Sequence, residues 1–511
     1  MEIEFGIWSV LPPLVAILLC FLTKRVLISL FIGVLTGGII ISSGNPLLGL
    51  TYTFDKIVVS MSDEWNTRLL IFNLLMGSGV AFIWRLGGST ALTNWARPKI
   101  KTNSQAGIGA WLLGIVVFFN DIVNAAIVGN VFRDVYEEKK ISKEKLSYIL
   151  DSTAAPVATF FISDWIAFQI GMIQSGMDAA GIEGNAFTSY LQGIPFNIYC
   201  IFAVLFVGIV VLSKKDFGPM FFAEKRARTT GKTIREDASP MMDVGLELGK
   251  AKDDKPMLKS FFFPLIALVG ITLFGFYWTG RAGGSFTEIL GASDPSKALL
   301  WGAFAMTFTG AFIALFHKLM NLKEVMETII DGMKIMLLAC LILVLAWSLG
   351  GITKDLKLAG YLITLIGDSI PFGLFPLIIF LLGMVIAFST GTSWGAMTIL
   401  TPVAIPMAYS MTGDVYLSVV MGGIVFSGAI FGDHCSPISD TTVMASIFSG
   451  SDHMDHVATQ IPYALVCAAI ASIMYLLFGF FNLNPFILIT VGIIFLVSIH
   501  YLLGSYYEKK Y

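Results

Sequence analysis

Long apolar runs separated by short polar stretches repeat along the whole chain. Fourteen segments are apolar enough to be candidate membrane spans, the first at 7–23 and the last at 485–504, with 107–132 and 147–172 among them. Two further apolar segments, 358–370 and 432–450, are interrupted by glycine, proline and polar residues, a pattern typical of broken or re-entrant helices. The pattern predicts an all-α polytopic membrane protein with roughly 11 to 14 transmembrane segments, given that about 20 residues cross a bilayer.

The composition agrees with this pattern. Hydrophobic residues make up 56% of the chain and charged residues only 13%, against about a quarter charged in a soluble domain. The net charge of -2 gives no indication of a nucleic-acid partner, and the five cysteines form no paired metal motif. The predicted partner is therefore the lipid bilayer, and no cofactor is expected.

A polar segment divides the chain near its middle. Residues 214–259 carry eleven lysines and arginines, which the positive-inside rule places in the cytoplasm, together with the basic stretch 133–145. This segment is predicted to be a linker between two transmembrane halves, 1–213 and 260–511.

Two long stretches contain acids but no lysine or arginine. Asp151 lies between Lys145 and Lys214, and Asp433 lies between Lys357 and Lys509. A carboxylate in apolar surroundings needs a neutralising partner, for which a bound cation or a proton is the obvious candidate.

The two acids also occupy similar positions in a weak internal repeat. DSTAAPVAT (151–159) matches GDHCSPISD (432–440), and FFNDIVNAAIVGN (118–130) matches FSTGTSWGAMTIL (388–400). Paired polar interruptions in two halves indicate inverted repeats with broken helices, and they are the best sequence indication of a transporter's binding site.

The segment GDHCSPISDTT (432–442) carries the strongest chemical signal. Asp433 and Asp440 would share one face of an unbroken helix, but Pro437 disfavours helical geometry there. The freed carbonyls, carboxylates and hydroxyls are the hard oxygen ligands that Na⁺ prefers. The alternative is that these groups only pair with neighbouring helices.

Other polar groups in apolar runs are weaker candidates. Asn120, Asp121 and Asn124 predict an inward-facing site on one helix. Asp151 could bind an ion or cap a half-helix, and Thr390 and Thr392 could be ligands or packing residues. The histidines of Asp452–His456 could form a proton-sensing patch, with a zinc site as the less favoured alternative.

Taken together, these motifs resemble the NhaC-type Na⁺/H⁺ antiporter family. The resemblance rests on FGDHCSPISDTTVMAS (431–446), GSDHMDHVATQIPYAL (450–465), EKLSYILDSTAAPVA (144–158) and FFNDIVNAAIVGN (118–130), and it extends over about residues 70 to 480. It implies exchange of Na⁺ and H⁺, or in some relatives of organic solutes or amino acids. It also implies inverted repeats with helical hairpins, and often a homodimer, in a bacterial cytoplasmic membrane.

The resemblance carries a set of binding residues onto this sequence. They are Asp121, Asn124, Asp151, Ser152, Thr153, Asp433, His434, Ser436, Ser439, Asp440, Thr441 and Thr442. Two departures stand out: many relatives have two adjacent acids where this chain has Asn120-Asp121, and Asp164 stands where a neutral polar residue is common.

Two functional hypotheses follow. The first is Na⁺/H⁺ antiport by alternating access, in which the cation and the proton compete for Asp433 and Asp440 while Asp121 is a further Na⁺ ligand. The second is Na⁺- or H⁺-coupled transport of an amino acid or small carboxylic acid, whose carboxylate would lie at half-helix N-termini near Ser152 and Ser439. No protease, Walker or hydrolase motif supports an enzyme, and no potassium filter supports a channel.

Overall fold

A computed structural model describes residues 5–23, 26–240, 256–282, 289, 292–358, 361, 371–437 and 439–511. Within these ranges the chain is helical, and the described backbone has no β-strand beyond an isolated bridge between Pro240 and Asp452. The predicted all-α architecture is confirmed. The predicted interruption at 358–370 lies almost entirely outside the described residues.

The helices before the polar segment are mostly short. They are α1 (Leu11–Thr23), α2 (Val26–Ile41), α3 (Pro46–Ser62), α4 (Glu64–Arg85), α5 (Gly88–Ala96), α6 (Asn103–Val116), α7 (Asp121–Glu138), α8 (Lys143–Thr153), α9 (Ala155–Ala158), α10 (Asp164–Ala180), α11 (Ala186–Gly193), α12 (Ile198–Ser213) and α13 (Gly218–Thr230). Among these described helices, α4 by itself and α12 together with α13 (Ile198–Thr230) are long and apolar enough to span a membrane.

The helices after it include most of the long ones. They are α14 (Lys259–Gly280), α15 (Pro295–Phe316), α16 (Leu322–Asp355), α17 (Phe375–Thr390), α18 (Ser393–Thr412), α19 (Val415–Cys435), α20 (Asp440–Ser449), α21 (His453–Phe481) and α22 (Pro485–Lys510).

Seven helices in the described residues are long and apolar enough to cross a membrane, and a bent pair within α16 would make eight. The sequence prediction of 11 to 14 segments is larger because several apolar stretches form shorter helices, such as α2 and α17. Two short helices can cross the bilayer together as one broken helix. Each is then apolar enough to be predicted as a span, although neither is long enough to cross the bilayer alone.

Burial separates the inner helices from the lipid-facing ones. In α19, 83% of the most apolar stretch is buried, against 22% in α22. The outer face of α15 exposes Phe304, Phe308, Phe312 and Phe316. Large exposed apolar side chains are stable in a hydrocarbon solvent, so these faces contact lipid and the chain is an integral membrane protein.

Each half contains a helical hairpin followed by a broken helix. In the first half α6 and α7 form the hairpin, and α8 breaks at Ala154 before α9 and α10. In the second half α17 and α18 form the hairpin, and α19 breaks at Ser436 before α20. Asp151 and Asp433 each lie two residues before the end of a helix, as the repeat predicts.

Two of the predicted continuous spans are divided in the structure. The span predicted at 107–132 is two helices, because residues 117–120 form a turn between α6 and α7. The span predicted at 147–172 is interrupted between Ala154 and Ser163. A hydropathy window averages over the turn at 117–120, where three of the four side chains are apolar, so it cannot detect that division. The break after Ala154 is also invisible to a hydropathy window, and only Pro156 indicates it.

The start of the basic segment is packed against the first half. The buried Lys145 ammonium lies 2.9 Å from Asp216, and Arg226 donates to the buried Glu144 at 2.8 Å. Glu224 accepts hydrogen bonds from the backbone N–H and the hydroxyl of Ser142. The two basic stretches therefore lie together at one end of the molecule, while their cytoplasmic location and the division into two halves stay predictions.

Glycines allow the hairpin and the broken helix of the second half to approach closely. A Cβ at Gly428 in α19 would lie 2.3 Å from the carbonyl oxygen of Phe380 in α17. Small residues at such contacts permit the backbone approach that holds membrane helices together.

We predict that Gly428→Ala destabilises the protein by about 1–3 kcal/mol, because the added methyl group must displace backbone atoms of α17. The measurement is the thermal unfolding temperature of the purified protein in detergent. Gly270→Ala is the matched control, since a Cβ there meets nothing within 4 Å. Equal unfolding temperatures for the two variants would contradict this account of the packing.

Candidate functional site

The two broken helices meet at their ends. The hydroxyl of Ser152, at the end of α8, lies 3.0 Å from Nε2 of His434, near the end of α19. The amide of Gln460 in α21 donates to Oδ2 of Asp151 at 2.7 Å and also to the carbonyl oxygen of His434. Residues about 280 to 310 positions apart in sequence thus form one hydrogen-bonded group.

Asp433 lies in this group with an oxygen-rich surrounding. Its carboxylate is 2% exposed, and it accepts hydrogen bonds from Ser393 at 3.0 Å and from Ser439 at 2.6 Å. Ser439 is the N-cap residue of α20, yet its hydroxyl makes no capping bond. Serine at this position ordinarily caps the helix, so the hydroxyl is directed to the carboxylate instead.

The threonines that follow extend the oxygen cluster. The hydroxyl of Thr441 lies 2.9 Å from that of Ser439, and Thr442 donates to the carbonyl oxygen of Asp433 at 3.4 Å. Ser436 donates to the carbonyl oxygen of Phe388, at the end of α17, at 2.8 Å. Hydroxyls, a carboxylate and helix-end carbonyls are therefore concentrated at one break.

At the other break, after α8, the polar side chain that contacts the helix ends is Asn124. Its side-chain amide donates to the carbonyl oxygens of Gly114, Val117 and Thr153 at 2.6, 3.1 and 2.9 Å. These carbonyls lie at the ends of α6 and α8, where no intrahelical donor is available. The amide oxygen of Asn124 is buried and has no hydrogen-bond partner within the described part of the chain.

The N-terminal ends of α7 and α20 converge on the same region. Gly129 of α7 lies against Phe448 of α20, and Asn124 reaches the end of α8, whose Ser147 contacts Ser449 at 2.6 Å. The first residues of α7 and α20 are Asp121 and Asp440. A helix N-terminus stabilises negative charge, so an acid there can stay ionised and bind a cation.

His434 connects the two breaks by both ring nitrogens. Its Nδ1 lies 2.6 Å from the hydroxyl of Tyr199 in α12, while its Nε2 contacts Ser152. Because both nitrogens are occupied, this buried ring fixes the relative positions of α8, α12 and α19.

The structure brings most of the predicted site residues together. Buried at or beside the two breaks are Asn120, Asn124, Asp151, Ser152, Thr153, Asp433, His434, Ser436, Ser439, Thr441 and Thr442. Asp121 and Thr392 lie at the starts of α7 and α18 and are partly exposed. The side chains of Thr390, Asp440 and Asp164 lie outside the described part of the structure.

Ser393, in the small-polar cluster that the sequence places at 390–393, donates to Asp433. The sequence interpretation missed two residues of the site, Gln460 and Tyr199, each of which contacts a predicted site residue. An amide such as Gln460 inside an apolar span can be recognised in the sequence as a candidate site residue. Tyr199 lies beside the polar Asn197 at the start of a helix, where nothing in the sequence distinguishes it from an ordinary packing residue. Among the described residues there is no group of three or more histidine, cysteine or acidic side chains that could hold a metal ion.

Comparison with known proteins assigns the family. The model of the Na⁺/H⁺ antiporter family matches residues 157–480. The chain belongs to the Na⁺/H⁺ antiporter family. It is therefore a secondary transporter and not an enzyme, as the motifs predicted.

Individual relatives agree with this assignment. An uncharacterized protein of Haemophilus influenzae is 31% identical over 492 residues, which cover 94% of this chain and 92% of that protein. The malate-2H(+)/Na(+)-lactate antiporter of Bacillus subtilis is 33% identical over 161 residues, 31% of this chain and 33% of that protein. In fold the chain is similar to the YdaH transporter of Alcanivorax borkumensis, with a TM-score of 0.58 at 14% identity over 86% of this chain and 90% of that one.

We predict that Gln460→Leu destabilises the protein by about 1–3 kcal/mol, because Asp151 and the His434 carbonyl lose a buried donor. Thermal unfolding in detergent measures the change. Gln174→Leu is the control, since its amide bonds Asp178 at the surface at 2.9 Å and its loss should change stability by less than about 0.5 kcal/mol. A Gln460→Leu variant as stable as the control would show that this bridge is unimportant.

Proposed function

We propose that this transporter exchanges Na⁺ against H⁺, and that the two cations compete for the carboxylates of Asp433 and Asp440. The observation that carries the proposal is the surrounding of Asp433. A carboxylate that is 2% exposed accepts hydrogen bonds from Ser393 and Ser439 at the point where α19 breaks.

The chemistry of the site suits a small hard cation. Hydroxyl, carboxylate and carbonyl oxygens are the ligands of such ions, and broken helices in transporters use unwound carbonyls for Na⁺. A charge held away from water is costly unless it is neutralised, and either Na⁺ or a proton can neutralise a carboxylate. Since one carboxylate cannot hold both at full occupancy, binding of one favours release of the other.

Asp121 is the further cation ligand in this proposal. It begins α7, which packs against α20 where Gly129 meets Phe448. The N-terminus of α7 favours the ionised form of Asp121, so that this acid attracts a cation to the break. Alternating exposure of the site to the two sides then couples the two gradients.

Exchange of a small organic acid is the second candidate. It is favoured by the similarity to the malate-2H(+)/Na(+)-lactate antiporter and by Asn120, which supplies no titratable group beside Asp121. Here the N-terminus of α20 beside Ser439 would bind the solute carboxylate. The predicted half-helix N-terminus near Ser152 is wrong, because Ser152 lies in the last turn of α8. Counterflow of labelled dicarboxylic and amino acids in proteoliposomes distinguishes the two, since solute uptake that requires Na⁺ favours this candidate.

The cellular setting also belongs to the proposal. The family and the basic stretches beside α8 and α13 suggest a bacterial cytoplasmic membrane, with those stretches inside the cell. A homodimer is consistent with the resemblance and is tested by cross-linking in native membranes.

We predict that Asp433→Asn lowers the apparent affinity for Na⁺ at least about tenfold and removes Na⁺-driven proton movement, because the amide can neither be ionised nor carry the exchanged proton. The measurement is a pH-dye assay in proteoliposomes with an imposed Na⁺ gradient.

Asp134→Asn is the control, since this side chain is 66% exposed and lies 3.6 Å from Arg97 at the surface. Its transport should equal that of the wild type. Unchanged Na⁺-driven proton movement in Asp433→Asn would refute the assignment.

A further inference from the structure

Two histidines share one serine hydroxyl beside the site. Nδ1 of His453 lies 3.0 Å and Nδ1 of His456 lies 2.9 Å from the hydroxyl of Ser446. The serine is in α20 and both histidines are in the first turn of α21, so the contact joins two helices. Ser446 also lies 2.9 Å from the carbonyl oxygen of Thr442.

The partners of the other ring nitrogens fix where the protons lie. Nε2 of His453 is 2.7 Å from the carbonyl oxygen of Pro437, which can only accept, so this nitrogen carries a hydrogen. Nε2 of His456 is 2.9 Å from Oε1 of Gln460. The Gln460 amide nitrogen donates to two acceptors, which fixes Oε1 as an acceptor and makes the His456 nitrogen the donor.

With both rings neutral, this arrangement is short of one hydrogen. Each neutral imidazole has a hydrogen on one nitrogen only, so both Nδ1 atoms are acceptors facing a single hydroxyl hydrogen. One added proton gives both Nδ1 atoms a hydrogen bond. One ring then donates its Nδ1–H to the Ser446 oxygen, and the Ser446 hydroxyl donates to Nδ1 of the other ring. A second added proton could also be paired, because the Ser446 oxygen accepts two hydrogen bonds and its own hydrogen can bond the Thr442 carbonyl. It would, however, place two positive charges on rings that share one hydroxyl, and like charges this close oppose the second protonation.

The pair lies between the membrane edge and a site acid. His456 is fully buried, and its Nε2 is 3.6 Å from Oδ2 of Asp151. His453 is partly exposed at the start of α21. Over this end lies the segment 231–240, where Arg235 pairs with Asp455 at 3.1 Å and Ser239 donates to Asp452 at 2.9 Å.

We propose that His453, Ser446 and His456 form a one-proton relay between this membrane edge and Asp151. The proposal rests on the proposed exchange of protons and names their path. A proton on Nδ1 of His453 passes to the Ser446 oxygen while the serine hydrogen passes to Nδ1 of His456. His456 then gives its Nε2 hydrogen to Asp151, once the ring moves from the Gln460 oxygen at 2.9 Å toward the carboxylate oxygen at 3.6 Å. One proton enters at His453 and one leaves to Asp151, and His456 keeps a hydrogen on Nδ1 until the ring is reset for the next proton.

Charged and titratable neighbours bias this relay. Asp151 attracts the proton inward, and Asp455 and Asp452 attract it at the outer end, where Arg235 partly neutralises them. Burial acts to raise the pKa of Asp452, but backbone donors from Ser239, Asp455 and Met454 outweigh it and hold that pKa below its usual value. Other titratable or charged side chains near the relay in the described part of the chain are His434 on α19, Glu144 on α8 and Arg133 on α7.

The proton count is tested by solid-state NMR of the ¹⁵N-histidine-labelled full chain in bilayers. The chain has five histidines, so His453→Gln and His456→Gln assign the signals, and His317→Gln at the end of α15 is the control. As the pH is lowered we expect one proton to be taken up jointly by the two rings, in a step that Ser446→Ala abolishes or divides. Uptake of two protons, or of none, would overturn the relay.

The path is tested by transport. We expect Ser446→Ala to slow Na⁺-driven proton movement by about a hundredfold while exchange of ²²Na⁺ for Na⁺ at equal concentrations stays at the wild-type rate. Wild-type proton movement in this variant, or an equal loss of both activities, would overturn the relay. If the wild type moves no protons against Na⁺, the proposed function fails, and the NMR proton count still decides on the shared-proton site.

Discussion

A helix that ends within an apolar region leaves its last carbonyl groups without intrahelical donors, and water is not there to replace them. Both α8 and α19 end in this way, at Ala154 and Ser436. The side chains around each break supply what the backbone lacks: Asn124 donates to three helix-end carbonyls, and Ser436 donates to the end of α17. The need to satisfy broken backbone explains why polar residues gather there, and the same oxygens make the region a binding site.

The hydrogen bonds between the breaks unite the two halves in one site. Ser152 contacts His434, and Gln460 holds Asp151 and the His434 carbonyl together. The cation at Asp433 and a proton at Asp151 would therefore act on one packed unit and not on two independent sites. In such a unit a change of charge at one acid alters the cost of burying the other, which is the physical basis of coupling.

The sequence predicted the helical fold and both breaks, because Pro156 and Pro437 interrupt apolar runs and acids precede each of them by a few residues. The turn at 117–120 was not predicted, since its apolar residues resemble the helices on either side. Gln460 and Tyr199 were missed for a different reason. Their partners lie hundreds of positions away, and only the packing of α12 and α21 against α8 and α19 brings them together. Register across such distances is a tertiary property that periodicity cannot supply.

If Na⁺ and a proton displace each other at the broken helices, sodium binding releases protons. Titration calorimetry of Na⁺ into the purified full chain, repeated in buffers with different enthalpies of ionisation, measures the protons released for each ion bound. We expect the observed heat to vary linearly with the buffer's ionisation enthalpy, because the buffer takes up the released protons. Sodium binding with a heat independent of the buffer would contradict this displacement.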